Sequence, residues 1–542
     1  MDIYTSALSQ LGIKLEVKEN RVGLIAAVVV LVWLAASRII GPLWAQTLDD
    51  AYITLRYSRN LVDGYGLKWN PTDARPVEGF TSLTHVLLGS LLLALRLDPV
   101  AGTKIVGLAA IGLMVALYGW HTRREAGWPV GFGVATLLLA GNPFIYFAAI
   151  QGMDTMLAGL AVTLLMALVY ASMRTERHLP WLFAAMVGAV LTRPDTGLLV
   201  ILTLLPVFLK YGRQRRFWLW AALWLGLPAV LYVGFKLAYF GDILPTTFYF
   251  KSRIGQWPQL DLVLSFALRF MLPGLPVLAI WVVTRQARWL ELYLTAALCL
   301  AVAYFATVRP AVAIGYRFLI PFLPAFIMGL IRPLQDLARL AAQPEAAGAK
   351  RALAGGVVVG LLLLVIPTPS QYLADAAGLR LEALRMDPII GRALANLPNP
   401  QQIRLVTGEA GAIPYFSNFF HVDPYGLVTK DPRTNPFLAD LVFENPPDIF
   451  VTHSLALVIA SDGSMVFDYD AMRWALDYND VGTTKFSMEI VTDPRFADYE
   501  LVAKLPSLTN PGPTNYHYVF LRKSSPYYAI LQARLAEISL PK

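Results

Sequence analysis

Two adjacent carboxylates, Asp49 and Asp50, stand near the head of the run Gln46-Thr-Leu-Asp-Asp-Ala-Tyr-Ile-Thr-Leu-Arg-Tyr-Ser-Arg-Asn60. The run follows an apolar stretch directly, so a carboxylate there meets a poorly solvating interface that raises its pKa and its basicity. The chemistry this suits is general-base deprotonation of a hydroxyl. The pattern predicts a helix with Thr47 as N-cap and Asp50 as the third residue beyond it. Asp49, Tyr52 and Arg56 then share one face, while Asp50 points elsewhere. The plainer alternative is that both carboxylates only complement the helix dipole.

A second set is cationic. Arg193 stands with Asp195 at a break between two apolar segments. Lys236, Asp242, Lys251 and Arg253 flank Gly241-Asp-Ile-Leu-Pro-Thr-Thr247, and Arg309 and Arg317 bracket a loop ending Gly315-Tyr-Arg-Phe318. Charges beside apolar spans are costly and tend to serve function. Held together at a membrane surface, they would bind an anionic headgroup; the alternative is snorkelling or pairing, as of Arg193 with Asp195. Between the two sets runs Arg75-Pro-Val-Glu-Gly-Phe-Thr-Ser-Leu-Thr-His85. Glu78, Thr81 and His85 are spaced for one helical face and could order a polar ligand. No third ligand stands at a recognisable spacing from Glu78 and His85, so no structural zinc site is expected.

These features describe a ligand with an apolar tail and an anionic head, such as a polyprenyl-phosphate sugar. Cations would stabilise the departing phosphate, and a carboxylate would take the proton of the attacking hydroxyl. There is no P-loop, and no G-x-G-x-x-G between a strand and a helix, so ATP and nucleotide-sugar sites are not expected. No obligatory metal is expected, because Arg and Lys can neutralise the phosphate; a divalent cation bridging Asp49 or Asp50 to it is the alternative.

Composition says what must position these groups. Of 542 residues 56% are hydrophobic and 15% charged, against roughly 25% charge in soluble domains. Apolar segments fall near 22–41, 100–120, 129–149, 155–173, 179–193, 196–210, 217–238, 260–284, 289–307, 318–332 and 352–366. They predict a polytopic all-α bundle of about 10–12 transmembrane helices. With the amino terminus inside, the basic runs 121–125, 174–178, 210–216, 285–288 and 332–351 all fall on the cytoplasmic side. Residues 83–95 are too short to span and would lie in the outer interface; counting them as a span reverses every later loop. The net charge of +8 is then topological and implies no nucleic-acid partner. The lone Cys299 excludes an intramolecular disulfide. The expected organisation is a membrane domain over 1–370, whose first external loop is 42–98 with interfacial helices, and an external, periplasmic α/β domain over 371–542. In that tail Ile403–Gly408 and Pro447–His453 read as strands. Trp474, Tyr478 and Tyr516-His-Tyr518 could offer platforms for a glycan or acceptor, though aromatic strand cores are as common.

The segments Leu48-Asp-Asp-Ala-Tyr-Ile-Thr-Leu-Arg-Tyr57, Asn60-Leu-Val-Asp-Gly-Tyr-Gly-Leu-Lys-Trp-Asn70 and Val77-Glu-Gly-Phe-Thr81 resemble the first periplasmic loop of GT-C membrane glycosyltransferases. They are most similar to the mycobacterial-type terminal β-(1→2) arabinofuranosyltransferases that use decaprenyl-phosphoryl-arabinose, and to their bacterial relatives. The resemblance implies a GT-C bundle in the inner membrane and inverting transfer, with arabinofuranose one candidate sugar, from a polyprenyl-phosphate sugar to a periplasmic glycan, lipid or protein. It implies Asp49 as base with Asp50 supporting, and Arg317 facing the donor phosphate; Arg193, Lys251, Lys236 and Arg309, read from their outward charge, are the further phosphate candidates. Tyr52, Arg56, Glu78, Thr81, His85 and Tyr316 are the candidate sugar or acceptor contacts. The arabinosyl enzymes carry an Ala-Tyr-Thr-His-type segment; here Thr81 corresponds but His85 is displaced, which leaves the sugar open. A transporter or flippase for lipid-linked sugars, or a noncatalytic membrane scaffold, are the alternatives. The first would favour internal repeats, and the second leaves the carboxylates and outer cations unexplained.

Overall fold

The computed structural model describes residues 17–122, 129–248, 260–284, 288–307, 314–343, 348–365, 369–383, 387–424, 426–429, 439–454, 457–459, 465–467, 489–506 and 516–538. Every apolar segment expected to span is helical. Among the described residues, seven helices are long and apolar enough to cross a membrane, and Val130–Ala140 with Pro143–Ile150 makes an eighth if that pair, bent by 57°, is one span. The others are the shorter Leu179–Thr192, the amphipathic Leu323–Ala342 and Gly348–Val365. The chain is a multi-pass membrane protein. Thr155–Ser172 is the most enclosed span, whereas Arg215–Tyr239 is peripheral and almost wholly uncovered by protein, as a lipid-facing helix would be.

The first external loop opens with helix α1 (Asp49–Val62), which starts one residue later than the sequence suggests. Leu48 takes the N-cap position with extended backbone and no side-chain cap. Its amide is already committed to the carbonyl of Gln151 at 3.2 Å, so the chain turns into the helix after Leu48 and Thr47 is left outside. Asp49 and Asp50 both occupy the first turn, where a negative charge is favourable. Helix α2 (Leu83–Ala94) has twelve residues, too few to span, with Leu87 and Leu91 exposed. It begins only at Leu83, where the Ser82 hydroxyl caps the His85 amide at 3.1 Å. Glu78 and Thr81 therefore precede the helix, and the single helical face expected for Glu78, Thr81 and His85 does not exist. The stretch before it is held extended: Tyr57 donates to the Val77 carbonyl at 2.6 Å and accepts from the Gly79 amide at 3.0 Å.

The tail carries a five-stranded sheet in the order β2-β1-β3-β7-β6. Its strands are β1 (Arg404–Thr407), β2 (Phe420–Val422), β3 (Ile449–Ser454), β6 (Tyr499–Pro506) and β7 (Tyr516–Arg522), with β4 (Leu457–Ile459) and β5 (Met465–Phe467) forming a separate hairpin. β1 pairs in parallel with β2 and β3, and β7 runs antiparallel to β3 and β6. Two apolar layers, one around Ile449 and Val451 and one around Phe450 and Phe520, cover the two faces. The strands expected at 403–408 and 447–453 are the parallel β1 and β3. Tyr518 lies in the core, and Trp474 and Tyr478 fall outside the described residues.

Candidate functional site

Helix α1 is the hub, and its faces do different things. The face bearing Asp49, Tyr52, Arg56 and Arg59 is covered by the tail's short helix Ala412–Ser417. The Asp49 carboxylate accepts from the Gly411 amide at 2.9 Å and the Ala412 amide at 2.6 Å. Gly411 must be glycine, because a Cβ there would overlap the backbone carbonyl of Asp49. Tyr52 packs on Tyr415 and Phe416 with ring centroids 5.3 and 5.2 Å away. Arg56 is fully buried and donates to the carbonyls of Trp69 (3.0 Å), Pro414 (2.5 Å) and Phe419 (2.8 Å) and to Asn70 Oδ1 (2.9 Å). Asp73 offsets part of its charge, but burial, reinforced by Arg59, pulls its pKa down to about 9. Arg59 adds bonds to the Tyr415 carbonyl and Asn418 Oδ1, both at 2.9 Å. The predicted sharing of a face by Asp49, Tyr52 and Arg56 is real, but that face is filled by protein.

Asp50 looks the other way. Its half-exposed carboxylate pairs with Arg317 Nη2 at 2.6 Å. Arg317 is presented by an unusual turn in which Gly315 and Tyr316 both take left-handed backbone, φ 59° and 58°. The first must be glycine because its Cα faces Phe147. The second is a tyrosine held in a strained conformation by the rings of Phe144, Phe266 and Phe270. The Arg317 guanidinium lies 4.8 Å from the Phe318 ring centre, and that of Arg193 lies 5.1 Å from the same ring. Arg193 is itself fastened to Asp195 through Nε (3.1 Å) and Nη2 (2.5 Å), and its Nη1 is 3.9 Å from Asp154. Two guanidinium groups and three carboxylates thus gather around one phenylalanine. Asp154 was not singled out from sequence. Its signal is faint: an acidic residue ending the Gln151-Gly-Met-Asp154 turn at the mouth of the Thr155–Ser172 helix. His85 is buried close enough to feel Asp154; burial lowers its pKa and the Asp154 charge partly restores it. Its Nε2 has no hydrogen-bond partner among the described residues.

The remaining candidates lie apart from this array. Lys236 pairs with Glu78 at 2.8 Å, both side chains nearly sealed from solvent. Burial raises the Glu78 pKa and the Lys236 ammonium opposes that rise. The Glu78 carbonyl also accepts from the Thr246 amide (3.1 Å) and hydroxyl (2.9 Å), tying the 241–247 turn to the first loop. Thr81 is exposed just ahead of α2. Lys251 and Arg309 lie outside the described residues. Oxygens of Asp49, Asp387 and Glu409 come within 4.8 Å of one another, and His517 Nε2 is 3.0 Å from Asp387. That set has the donors a hard cation takes, although both Asp49 oxygens already accept backbone amides.

The apo crystal structure of ArnT from Cupriavidus metallidurans is similar to this chain, with a TM-score of 0.50 and 14% identity over 95% of this chain and 99% of that one. The crystal structure of the same protein bound to undecaprenyl phosphate has a TM-score of 0.49 at 14% identity and the same coverage. The chain has the GT-C fold. Residues 377–527 match a domain of unknown function (DUF8728), a span that contains Asp387, Gly411 and the whole five-stranded sheet. No curated protein matches the sequence. At 14% identity the likeness to ArnT carries the architecture and not the role of any residue.

Proposed function

We propose that this GT-C chain is an inverting glycosyltransferase that takes a sugar from a polyprenyl-phosphate donor and passes it to a hydroxyl of an envelope glycan, lipid or protein. The observation that carries the reading is the Asp50–Arg317 pair, 2.6 Å apart, at the head of a loop helix over an apolar bundle. A guanidinium matches phosphate geometry and prefers an anion that can accept two bonds. A donor phosphate would compete with Asp50 for Arg317, and Asp50, released, would accept the proton of the acceptor hydroxyl. The acceptor oxygen then bonds to the anomeric carbon as that carbon's bond to the phosphate oxygen breaks on the opposite face. The electron pair leaves with polyprenyl phosphate, whose new charge Arg317 neutralises, with Arg193 beside the same Phe318 ring as a second cation.

The base in this scheme is Asp50, with Asp49 a positioning residue, the reverse of the order that the first-loop resemblance implies. What favours Asp50 is access: Asp49 has both oxygens bonded to tail amides, whereas Asp50 is half-exposed. Lys236 is already balanced by Glu78 and is not needed for phosphate. The basic runs 174–178 and 210–216 support a cytoplasmic setting for the opposite face, and in this reading the site and the tail lie on the periplasmic side of the inner membrane. Arabinofuranose is the first sugar to test, on the first-loop resemblance.

The test is to incubate the purified protein with a panel of polyprenyl-phosphate sugars, decaprenyl-phosphoryl-arabinose among them, and a hydroxyl acceptor, and to measure free polyprenyl phosphate and glycosylated product. One donor should be consumed with inversion by wild type and bound without transfer by Asp50→Asn. Binding without turnover by the wild-type protein across the panel would instead make it a carrier or scaffold.

A further inference from the structure

The end of the bundle farthest from Asp50 carries a second built surface. Asp154 and Arg193 lie at one end of the Thr155–Ser172 and Leu179–Thr192 helices, and eighteen helical residues put the other end about 27 Å away. There the loops 172–178 and 210–216 are tied to each other. The Lys210 ammonium donates to the Met173 carbonyl, the Tyr211 hydroxyl donates to the Ser172 carbonyl at 2.7 Å, and Arg216 reaches Glu176 at 3.3 Å. Six exposed cations result on one patch: Arg174, Arg177, Lys210, Arg213, Arg215 and Arg216. Glu176 is the sole carboxylate in either loop.

Three further observations say what such a patch would meet. Trp181 and Trp218 are exposed within the first turn of the helices that leave it, and Trp181 stands 6.4 Å from Trp224; indoles in this position sit at the level of lipid headgroups. Arg174 also closes a cleft lined by Trp120, His121 and Tyr170, so the patch has a recess as well as a surface. The interloop bonds fix the spacing of the cations in advance, which lowers the entropy lost on binding. Like charges packed this densely repel within a Debye length of roughly 8 Å, and an anion relieves them.

We propose that the 172–178 and 210–216 loops form a docking site for the phosphate headgroups of anionic phospholipids in the leaflet opposite the Asp50–Arg317 site. The ligand is a phosphodiester carried on acyl chains: its phosphate meets the arginines while its chains lie along the uncovered Arg215–Tyr239 helix. The site is independent of the proposed transferase reaction, and neither depends on the other being right.

The experiment compares wild type with an Arg213→Gln/Arg215→Gln/Arg216→Gln variant and an Arg174→Gln/Arg177→Gln variant, all in zwitterionic detergent. Bound lipid is counted by native mass spectrometry and Tm is followed on adding phosphatidylglycerol, cardiolipin, phosphatidylcholine or inorganic phosphate. Wild type should retain anionic over zwitterionic phospholipid by about tenfold or more and gain Tm only with the anionic lipids. Both variants, altered only at exposed side chains and matching wild type in lipid-free Tm, should fall to about twofold or less. Equal retention by all three proteins overturns the proposal. So does an equal Tm gain from phosphatidylcholine, or from inorganic phosphate alone, which would reduce the patch to a nonspecific anion sink.

Discussion

The two flanks of the Asp49–Val62 helix are both polar, yet they are built on opposite principles. On the flank of Asp49, Arg56 and Arg59 most bonds run to main chain, of the tail and of the first loop itself. Asp73 and Asp63 offset part of the Arg56 and Arg59 charge through space. On the flank of Asp50, charges face charges: Asp50 with Arg317, and Arg193 with Asp154 and Asp195. Bonds to fixed carbonyls and amides make a mount, because the backbone cannot retreat to admit a substitute. Pairs of long side chains make a site, because either partner can take a new one at little cost. Adjacent residues of one sequence motif thus receive separate tasks.

Substitutions can break or sharpen that contrast. The largest effect is expected at Asp50→Asn, which should cut transfer by about 10²–10⁴-fold with donor affinity unchanged or improved, since Arg317 is released. Asp49→Asn should lower Tm and cost less activity. Steady-state kinetics with donor-binding measurements checks both, and an Asp49→Asn protein that is folded yet inactive while Asp50→Asn still works would exchange the two assignments. Arg56→Ala removes four hydrogen bonds from a sealed place and should cost about 3–5 kcal/mol, read as a large loss of Tm or of detergent-stable protein. Its conservative partner Arg56→Lys cannot reach all four acceptors and should recover only part of it.

Lys236→Met alone leaves Glu78 buried without its cation and should destabilise by about 3 kcal/mol. Adding Glu78→Leu should restore most of the loss, as a double-mutant cycle in chemical denaturation would read out; transfer lost in the double variant at wild-type stability would return Lys236 to the donor phosphate. Per pH unit, the smallest effect is the slope of stability with pH. His421 accepts from Trp69 Nε1 at 3.1 Å through Nδ1, and its Nε2 lies 3.0 Å from the Thr407 carbonyl. Burial, with Arg56 adding to it, lowers its pKa from 6.5 to about 3. The folded protein therefore binds fewer protons than the unfolded one between these values. The stability this histidine contributes is complete above pH 6.5 and falls as pH drops below it, by at most about 1.4 kcal/mol per unit. Tm against pH should decline below pH 6.5 in wild type, and His421→Gln should flatten that decline.

Hydropathy makes the depth of each segment legible, and so the spans, the short Leu83–Ala94 helix and the apolar strands at 404–407 and 449–454 can be read before any coordinates. The i, i+3, i+7 spacing of Asp49, Tyr52 and Arg56 also reveals a common face. What it does not reveal is what that face meets, since the partner lies more than 350 residues downstream in a segment with no motif of its own. The pairing of Glu78 with Lys236 escapes for the same reason: each looks like a lone charge beside an apolar run. Asp154 was passed over because one acidic residue at a helix mouth has an ordinary capping explanation. Thr47 was expected to cap because the choice between neighbouring cap positions turned on Gln151, a contact that local pattern does not encode.

The bond from Gly411 to Asp49 spans 362 residues, and this orders events in the life of the molecule. The first loop emerges early in synthesis, with Arg56 and Asp49 lacking most of their acceptors and donors until the 404–422 stretch has been made and folded. A chain interrupted before that point carries the whole motif yet has nothing to seat it. Completion of the polypeptide is thereby a condition for seating the Asp49–Val62 helix, and in the proposed reaction unfinished copies would have no means of spending donor. Supplying residues 384–542 as a separate chain to a 1–383 fragment, and asking whether transfer returns, would measure that dependence directly.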